Sequence, residues 1–145
     1  VFCNFVFKEI IDELIHLFKD ILKEKNITLN IRGEDNLKLF ADKVMITQVM
    51  INLLKNAIDA VQETSSPEIV INNFFKFNEI IITISDNGKG ISAEELKDIF
   101  VPFYTTKKNG TGIGLYYSKM IIFMHKGQIR VNSKVNQGTT FSIHL

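Results

Sequence analysis

Ile80-Ile81-Ile82-Thr83-Ile84-Ser85-Asp86-Asn87-Gly88-Lys89-Gly90 is a β-branched apolar run that breaks abruptly into a carboxylate and two glycines. Further on comes a second cluster, Gly110-Thr111-Gly112-Ile113-Gly114, which feeds a helix-like stretch from Leu115 to His125. Together the two windows hold five of the eight glycines in the chain. Glycine is costly inside regular elements and useful where backbone bends at positive φ or passes close to other atoms. The first window therefore reads as the end of a strand, marked by the alternation Ile80, Ile82, Ile84. The second reads as a glycine-rich turn opening a helix, an arrangement whose free N–H groups and dipole favour phosphate.

Outward from these windows, length and composition bound the answer. A chain of 145 residues is read as one domain with a proper core, and 46% hydrophobic residues with twelve Phe and no Trp suit a globular protein. No apolar run approaches the ~20 residues of a membrane span. No signal peptide or targeting tail is visible. The start Val1-Phe2-Cys3, without Met, is what a segment of something longer would show. A net charge of +1 with interspersed signs gives no electrostatic case for nucleic acid or an anionic membrane. The single Cys3 has no internal disulfide partner, and one Cys with three scattered His excludes a zinc-type site.

Periodicity alternates along the chain. Phe2 to Phe7 reads as a short strand and Lys8 to Lys25 as an amphipathic helix. Ile27–Ile31 and Leu37–Ala41 read as strands about a turn at Gly33-Glu34-Asp35-Asn36. Lys43 to Gln62 is a second helix, stopped by Thr64-Ser65-Ser66-Pro67. Glu68–Phe74 and Glu79–Ser85 are strands, and Ala93 to Phe100 a short helix. Phe103 to Thr111 is polar and unpatterned, a lid candidate. Gly114 to Lys126 is the last long helix, before a closing hairpin of Gln128–Val135 and Thr139–Leu145. Adjacent late strands favour an α+β fold over a doubly wound parallel sheet.

The second helix carries a polar stripe. At about 100° per residue, Gln48, Asn52, Lys55, Asn56 and Asp59 fall on one face, while Met45, Val49, Met50, Leu53, Leu54, Ala57, Ile58 and Val61 cover the rest. Two readings fit: a water-facing row of ordinary amides, or a pair, Asn52 and Asn56, sharing a hydrated cation such as Mg²⁺.

The order of pieces goes further. Asn52-Leu53-Leu54-Lys55-Asn56-Ala57, Asp86-Asn87-Gly88-Lys89-Gly90, Phe100-Val101-Pro102-Phe103, Gly110-Thr111-Gly112-Ile113-Gly114 and Gly138-Thr139-Thr140-Phe141 follow one another. In that order they resemble the N, G1, F, G2 and G3 boxes of the catalytic ATP-binding domain of bacterial sensor histidine kinases (the GHKL, or Bergerat-fold, group). The resemblance runs from about Phe2 to Leu145. It implies a two-layer α/β sandwich, a mixed and mostly antiparallel sheet of about five strands covered on one face by about three helices, with a mobile ATP lid. It implies ATP, with ADP as product, and Mg²⁺ as ligands. Asp86 would accept the adenine amine, and Gly88 and Gly90 would pass beneath the base. Asn56, with Asn52, would hold the metal. Gly110, Gly112 and Gly114 would let the lid close, and Lys107 would touch a phosphate, with Lys55 a weaker candidate. Asn52 and Lys107 are the implied catalytic residues. Ile91, Phe103, Thr106, Thr111, Ile113, Leu115 and Thr139 complete the implied nucleotide contacts. Phe100 and Phe103 would anchor the lid, as hinge or as core, and Gly138 would shape a hairpin.

Relatives that hydrolyse ATP, such as gyrase, Hsp90 and MutL, resemble this pattern but carry Glu at the first N-box position as a general base. Here that position is Asn52, and an amide cannot take a proton at neutral pH. A histidine imidazole needs no such base, so the reading is phosphotransfer to histidine. The alternatives are an ATP hydrolase of the gyrase type and a degenerate nucleotide-binding regulatory domain. None of His16, His125 and His144 matches the family's phosphoacceptor motif; His125 reads as a helix-end residue favoured by the dipole. The resemblance therefore implies a partner, the dimerisation and phosphoacceptor domain of the same kinase, with a response regulator reached indirectly. It also implies a monomeric isolated domain in the cytoplasm, without direct membrane contact, any anchor lying in parts beyond this segment.

Overall fold

The computed structural model describes residues 1–145. The chain runs β1 (Phe2–Val6), α1 (Phe7–Glu24), β2 (Thr28–Ile31), β3 (Lys38–Asp42), α2 (Lys43–Ala60), β4 (Glu68–Lys76), β5 (Glu79–Asp86), α3 (Ala93–Leu96), α4 (Gly114–Met124), β6 (Gln128–Lys134) and β7 (Gly138–His144). Five strands form one sheet in the order β2-β4-β5-β7-β6, while β1 and β3 form a separate two-stranded ribbon. Only β2 and β4 run parallel; the other three pairs of the main sheet are antiparallel. The expected α+β sandwich is what the chain forms, with the ribbon as an addition.

Register explains where the core sits. Ile71, Ile84, Phe141 and Val131 lie in one row across the sheet, and Asn73, Ile82, Ile143 and Ile129 in another. Ile71, Ile82, Ile84 and Ile143 are almost fully buried, because period-2 alternation turns them all to the helix-covered face. From the other layer, α1 contributes Phe7, Ile10, Leu14 and Phe18, and α2 contributes Ile46, Val49, Met50, Leu53, Leu54, Ala57 and Ile58. At ~25 cal/mol per Å² of apolar surface, each fully buried Ile or Leu is worth about 1.5–3 kcal/mol.

Helix starts are fixed locally. Glu9 reaches back to accept the Val6 N–H at 3.1 Å. Asp42 Oδ1 accepts the Met45 N–H at 3.2 Å, an N-cap for α2. Ser92 and Glu95 form a reciprocal capping box on α3. That third helix is shorter than the spacing of Leu96, Ile99 and Phe100 predicts. After Leu96 the chain continues in turns closed by three-residue bonds, Asp98 to Glu95 and Val101 to Asp98, whose period mimics a helix.

His125 stands at the C-terminal end of α4, the helix-end position expected of it. Its Nδ1 donates to the Ile121 carbonyl at 2.7 Å, and its Nε2 accepts the Asp42 N–H at 3.1 Å. An accepting Nε2 makes the ring a neutral imidazole. It also stacks on Phe2 at 4.7 Å between centroids, tying the β1–β3 ribbon to the end of α4.

Candidate functional site

The site is assembled at the carboxyl end of β5. One row beyond Ile84, Ile69, Asp86, Thr139 and Ser133 stand opposite one another across four strands. Asp86 therefore projects to the same face as the core isoleucines but at its rim. Burial there pushes the Asp86 carboxyl above the usual carboxylate range, opposed by the backbone N–H groups of Gly88 and Thr139 that point at it. The Gly88 N–H bonds Asp86 Oδ1 at 2.9 Å. A half-buried carboxylate held by backbone donors is a rigid acceptor for a ligand amine.

The loop after Asp86 is packed against protein on both sides. A Cβ on Gly88 would lie 2.2 Å from the Ala60 carbonyl oxygen, and one on Gly90 2.2 Å from that of Lys134. The Lys89 N–H bonds the Ala60 carbonyl at 3.0 Å, and the Lys89 carbonyl accepts the Asn136 N–H at 2.8 Å. Both glycines thus serve close approach to the end of α2 and to the β6–β7 turn. Ser133 Oγ accepts the Ile91 N–H at 2.8 Å and donates to the Gly138 carbonyl at 3.0 Å; it also meets Thr139 Oγ1 at 2.7 Å. Thr139 and Ile91 therefore reach the site as parts of this frame, a role for Ser133 that lay outside the sequence motifs. Gly138 does shape the hairpin, with φ +113 beside the Asp86 carbonyl.

The polar stripe of α2 faces the lid and α4. Asn52 Nδ2 reaches the Gly114 carbonyl at 3.4 Å and Ser118 Oγ at 3.3 Å, and its Oδ1 accepts from Gln48. Ser118 is fully buried, and its partnership with Asn52 fixes the start of α4 against α2. One turn on, Asn56 Oδ1 accepts from Lys107 Nζ at 2.7 Å, and Asp59 Oδ2 lies 2.6 Å from the same ammonium. The stripe is therefore engaged: Gln48, Lys55 and Asp59 are all exposed, but of these Lys55 alone makes no side-chain hydrogen bond or ion pair. The Lys107 ammonium thus reaches from the lid to two side chains of α2.

Between them runs the lid. The Phe103 N–H bonds the Gly112 carbonyl at 2.9 Å, closing its neck. Gly112 has φ +70, and a Cβ there would meet the Phe103 backbone at 2.3 Å, so no other residue fits without shifting the neck. The two candidate anchors separate. Phe100 packs edge-on against Phe141 at 6.4 Å, whereas Phe103 has φ +67 and is 75% exposed. Phe103 is thus no packing anchor, because the left-handed neck turns its ring outward. Thr106, Thr111 and Ile113 are exposed on the lid, and Leu115 is half-buried at its root. No side chain caps the N-terminus of α4, so its first N–H groups are available to an anion.

The fold thus presents a half-buried carboxylate at the end of β5, an amide pair on α2 and an uncapped helix N-terminus at α4. A groove of about 510 Å³ opens beyond Asn52 and Gly114, bounded also by Val44, Gln48, Ile113 and Tyr117. The fold is a two-layer α/β sandwich with a lid whose neck is formed by Phe103 and Gly112. This chain belongs to the histidine kinase-, DNA gyrase B- and HSP90-like ATPase family, whose model matches residues 41–145. It is 38% identical over 140 residues to sensor histidine kinase ZraS of Salmonella typhimurium, covering 94% of this chain and 30% of that protein. Sporulation kinase B of Bacillus subtilis is 35% identical over 136 residues, covering 94% of this chain and 32% of that protein. The chain thus spans about a third of the length of these curated relatives. The nucleotide-free catalytic domain of histidine kinase ThkA superposes with a TM-score of 0.89 at 31% identity, covering 100% of this chain and 95% of that one.

Proposed function

We propose that this chain, a single catalytic domain, binds Mg-ATP and donates the γ-phosphate to a histidine on a separate dimerisation and phosphoacceptor domain of the same kinase. The observation that carries the reading is Asn52 on the α2 stripe, hydrogen-bonded to Gly114 and Ser118 at the uncapped start of α4. Asp86 binds the adenine amine. The N-terminal N–H groups of α4 and the lid hold the phosphates, with Lys107 adding a point charge once the lid is loaded.

Asn56 offers a carboxamide oxygen that already holds a cation, the Lys107 ammonium, so its chemistry suits Mg²⁺. When bound, Mg²⁺ neutralises phosphate charge and orders the triphosphate. Phosphoryl transfer then asks mainly for positioning and charge stabilisation, which amides, backbone N–H groups and a lysine supply. At position 52 an amide hydrogen-bonded to Gly114 and Ser118 holds the α4 start in place and has no basic lone pair to activate water. That favours transfer to an imidazole over hydrolysis of the gyrase type.

The acceptor lies elsewhere. Both ring nitrogens of His125 are engaged, His144 bonds Glu79 and Ser142, and His16 sits exposed on α1. Tyr117, Met120, Phe123 and Met124 form an exposed apolar face on α4 beside the lid, the kind of patch that receives a partner helix. A response regulator would be reached through that domain, and the isolated segment would be monomeric. No helix is long and apolar enough to cross a membrane; the cytoplasmic setting follows from the reading as a kinase. A thermal melt with and without Mg-ADP tests the site. Ligand at ~100 Kd should add about 2.7 kcal/mol of stability, and an absent shift overturns the assignment.

A further inference from the structure

Lys107 and Asp59 make a contact that nucleotide binding does not by itself require. The Lys107 ammonium bridges Asn56 Oδ1 at 2.7 Å and Asp59 Oδ2 at 2.6 Å, joining the lid to α2 across 48 residues of sequence. The lysine is presented by a tight turn. Its own N–H bonds Thr105 Oγ1 at 3.0 Å, its carbonyl accepts the Gly110 N–H at 3.2 Å, and a Cβ on Gly110 would lie 2.4 Å from Thr105 Oγ1. Nothing else of the lid between that turn and the neck at Phe103 and Gly112 forms an ion pair with the body.

We propose that Lys107 is a latch exchanged for the metal: its ammonium fills the seat made by Asn56 and Asp59, and Mg²⁺ arriving with ATP displaces it and frees the lid to close over the phosphates. The inference rests on the Mg-ATP reading above. Asn56 Oδ1 cannot direct a lone pair at both a divalent ion and an ammonium without bringing like charges into contact. The displaced lysine then finds its counter-charge on the phosphates, so one residue holds the lid in either state. Asp59 decides the balance. It draws Lys107 onto α2 in the free chain and is the part of the latch that the resemblance leaves without a role.

Asp59→Asn, an exposed and nearly isosteric change, isolates the latch from the phosphate contact, and Asp59→Glu retains the charge. In the nucleotide-free protein, ¹⁵N order parameters of amides 105–112 are expected to fall in Asp59→Asn and to hold near wild type in Asp59→Glu. Calorimetry with a non-hydrolysable Mg-ATP analogue is expected to show about two- to fivefold tighter binding by Asp59→Asn, the scale of an exposed ion pair released on binding. Unchanged order parameters, or weaker binding by Asp59→Asn in a protein that melts like wild type, would overturn the latch while leaving the nucleotide site intact. Failure of wild type to bind the analogue at all would overturn both.

Discussion

Asp86→Asn separates what the site needs from what the fold needs. Asp86 Oδ1 accepts the Gly88 N–H at 2.9 Å, and Asn can keep that bond through its single carbonyl oxygen. Its amide nitrogen then stands where the second carboxylate oxygen was and meets the adenine amine donor to donor. Hydrogen bonds to charged groups contribute about 1.5–3 kcal/mol, so affinity for ATP should fall about 10- to 150-fold. Stability should move differently. Burial raises the Asp86 pKa, so between the unfolded value near ~3.9 and the raised folded value the native state binds more protons than the unfolded state. Its stabilising contribution is therefore fullest at low pH and is lost as pH rises through that window. The melting temperature of Asp86→Asn minus that of wild type should grow as pH climbs from about 4 towards neutrality. Melts across pH, paired with calorimetry of ATP binding, read both effects. A variant that binds ATP normally, or a difference that shrinks with rising pH, refutes the assignment of Asp86 as a desolvated adenine acceptor.

Gly88→Ala should act through packing, because its Cβ would sit 2.2 Å from the Ala60 carbonyl oxygen and force the loop off α2. A loss of about 1–3 kcal/mol, read as a melting temperature lower by about 3–10 °C, is expected together with weaker nucleotide binding. Asn56→Ala should bind ATP in EDTA about as wild type does but lose the gain in affinity that Mg²⁺ confers, measured by titration with and without the ion.

The chain's layers were legible because periodicity is local. Ile69, Ile71, Ile82 and Ile84 alternate as strands do, and the apolar sweep of α2 could only be buried. The motif residues were legible for the same reason, since a carboxylate followed by spaced glycines fixes a strand end wherever it occurs. What stayed hidden is set by distant partners. The bond from Lys107 to Asn56 spans 51 residues, and the outward turn of Phe103 depends on Gly112 lying across the lid neck. The neutral ring of His125 depends on the Asp42 N–H, 83 residues away. Gly88 and Gly90 were found by type, but the backbones they lie against are invisible to composition.

The central claim is transfer of phosphate to a histidine outside this chain. A helical hairpin bearing a phosphoacceptor histidine, taken from a related sensor histidine kinase, can be supplied in trans with γ-labelled ATP and Mg²⁺. The account predicts acid-labile label on that histidine, dependent on this chain and on Asp86. Release of free phosphate with no labelled histidine would contradict it and would make the domain a hydrolase.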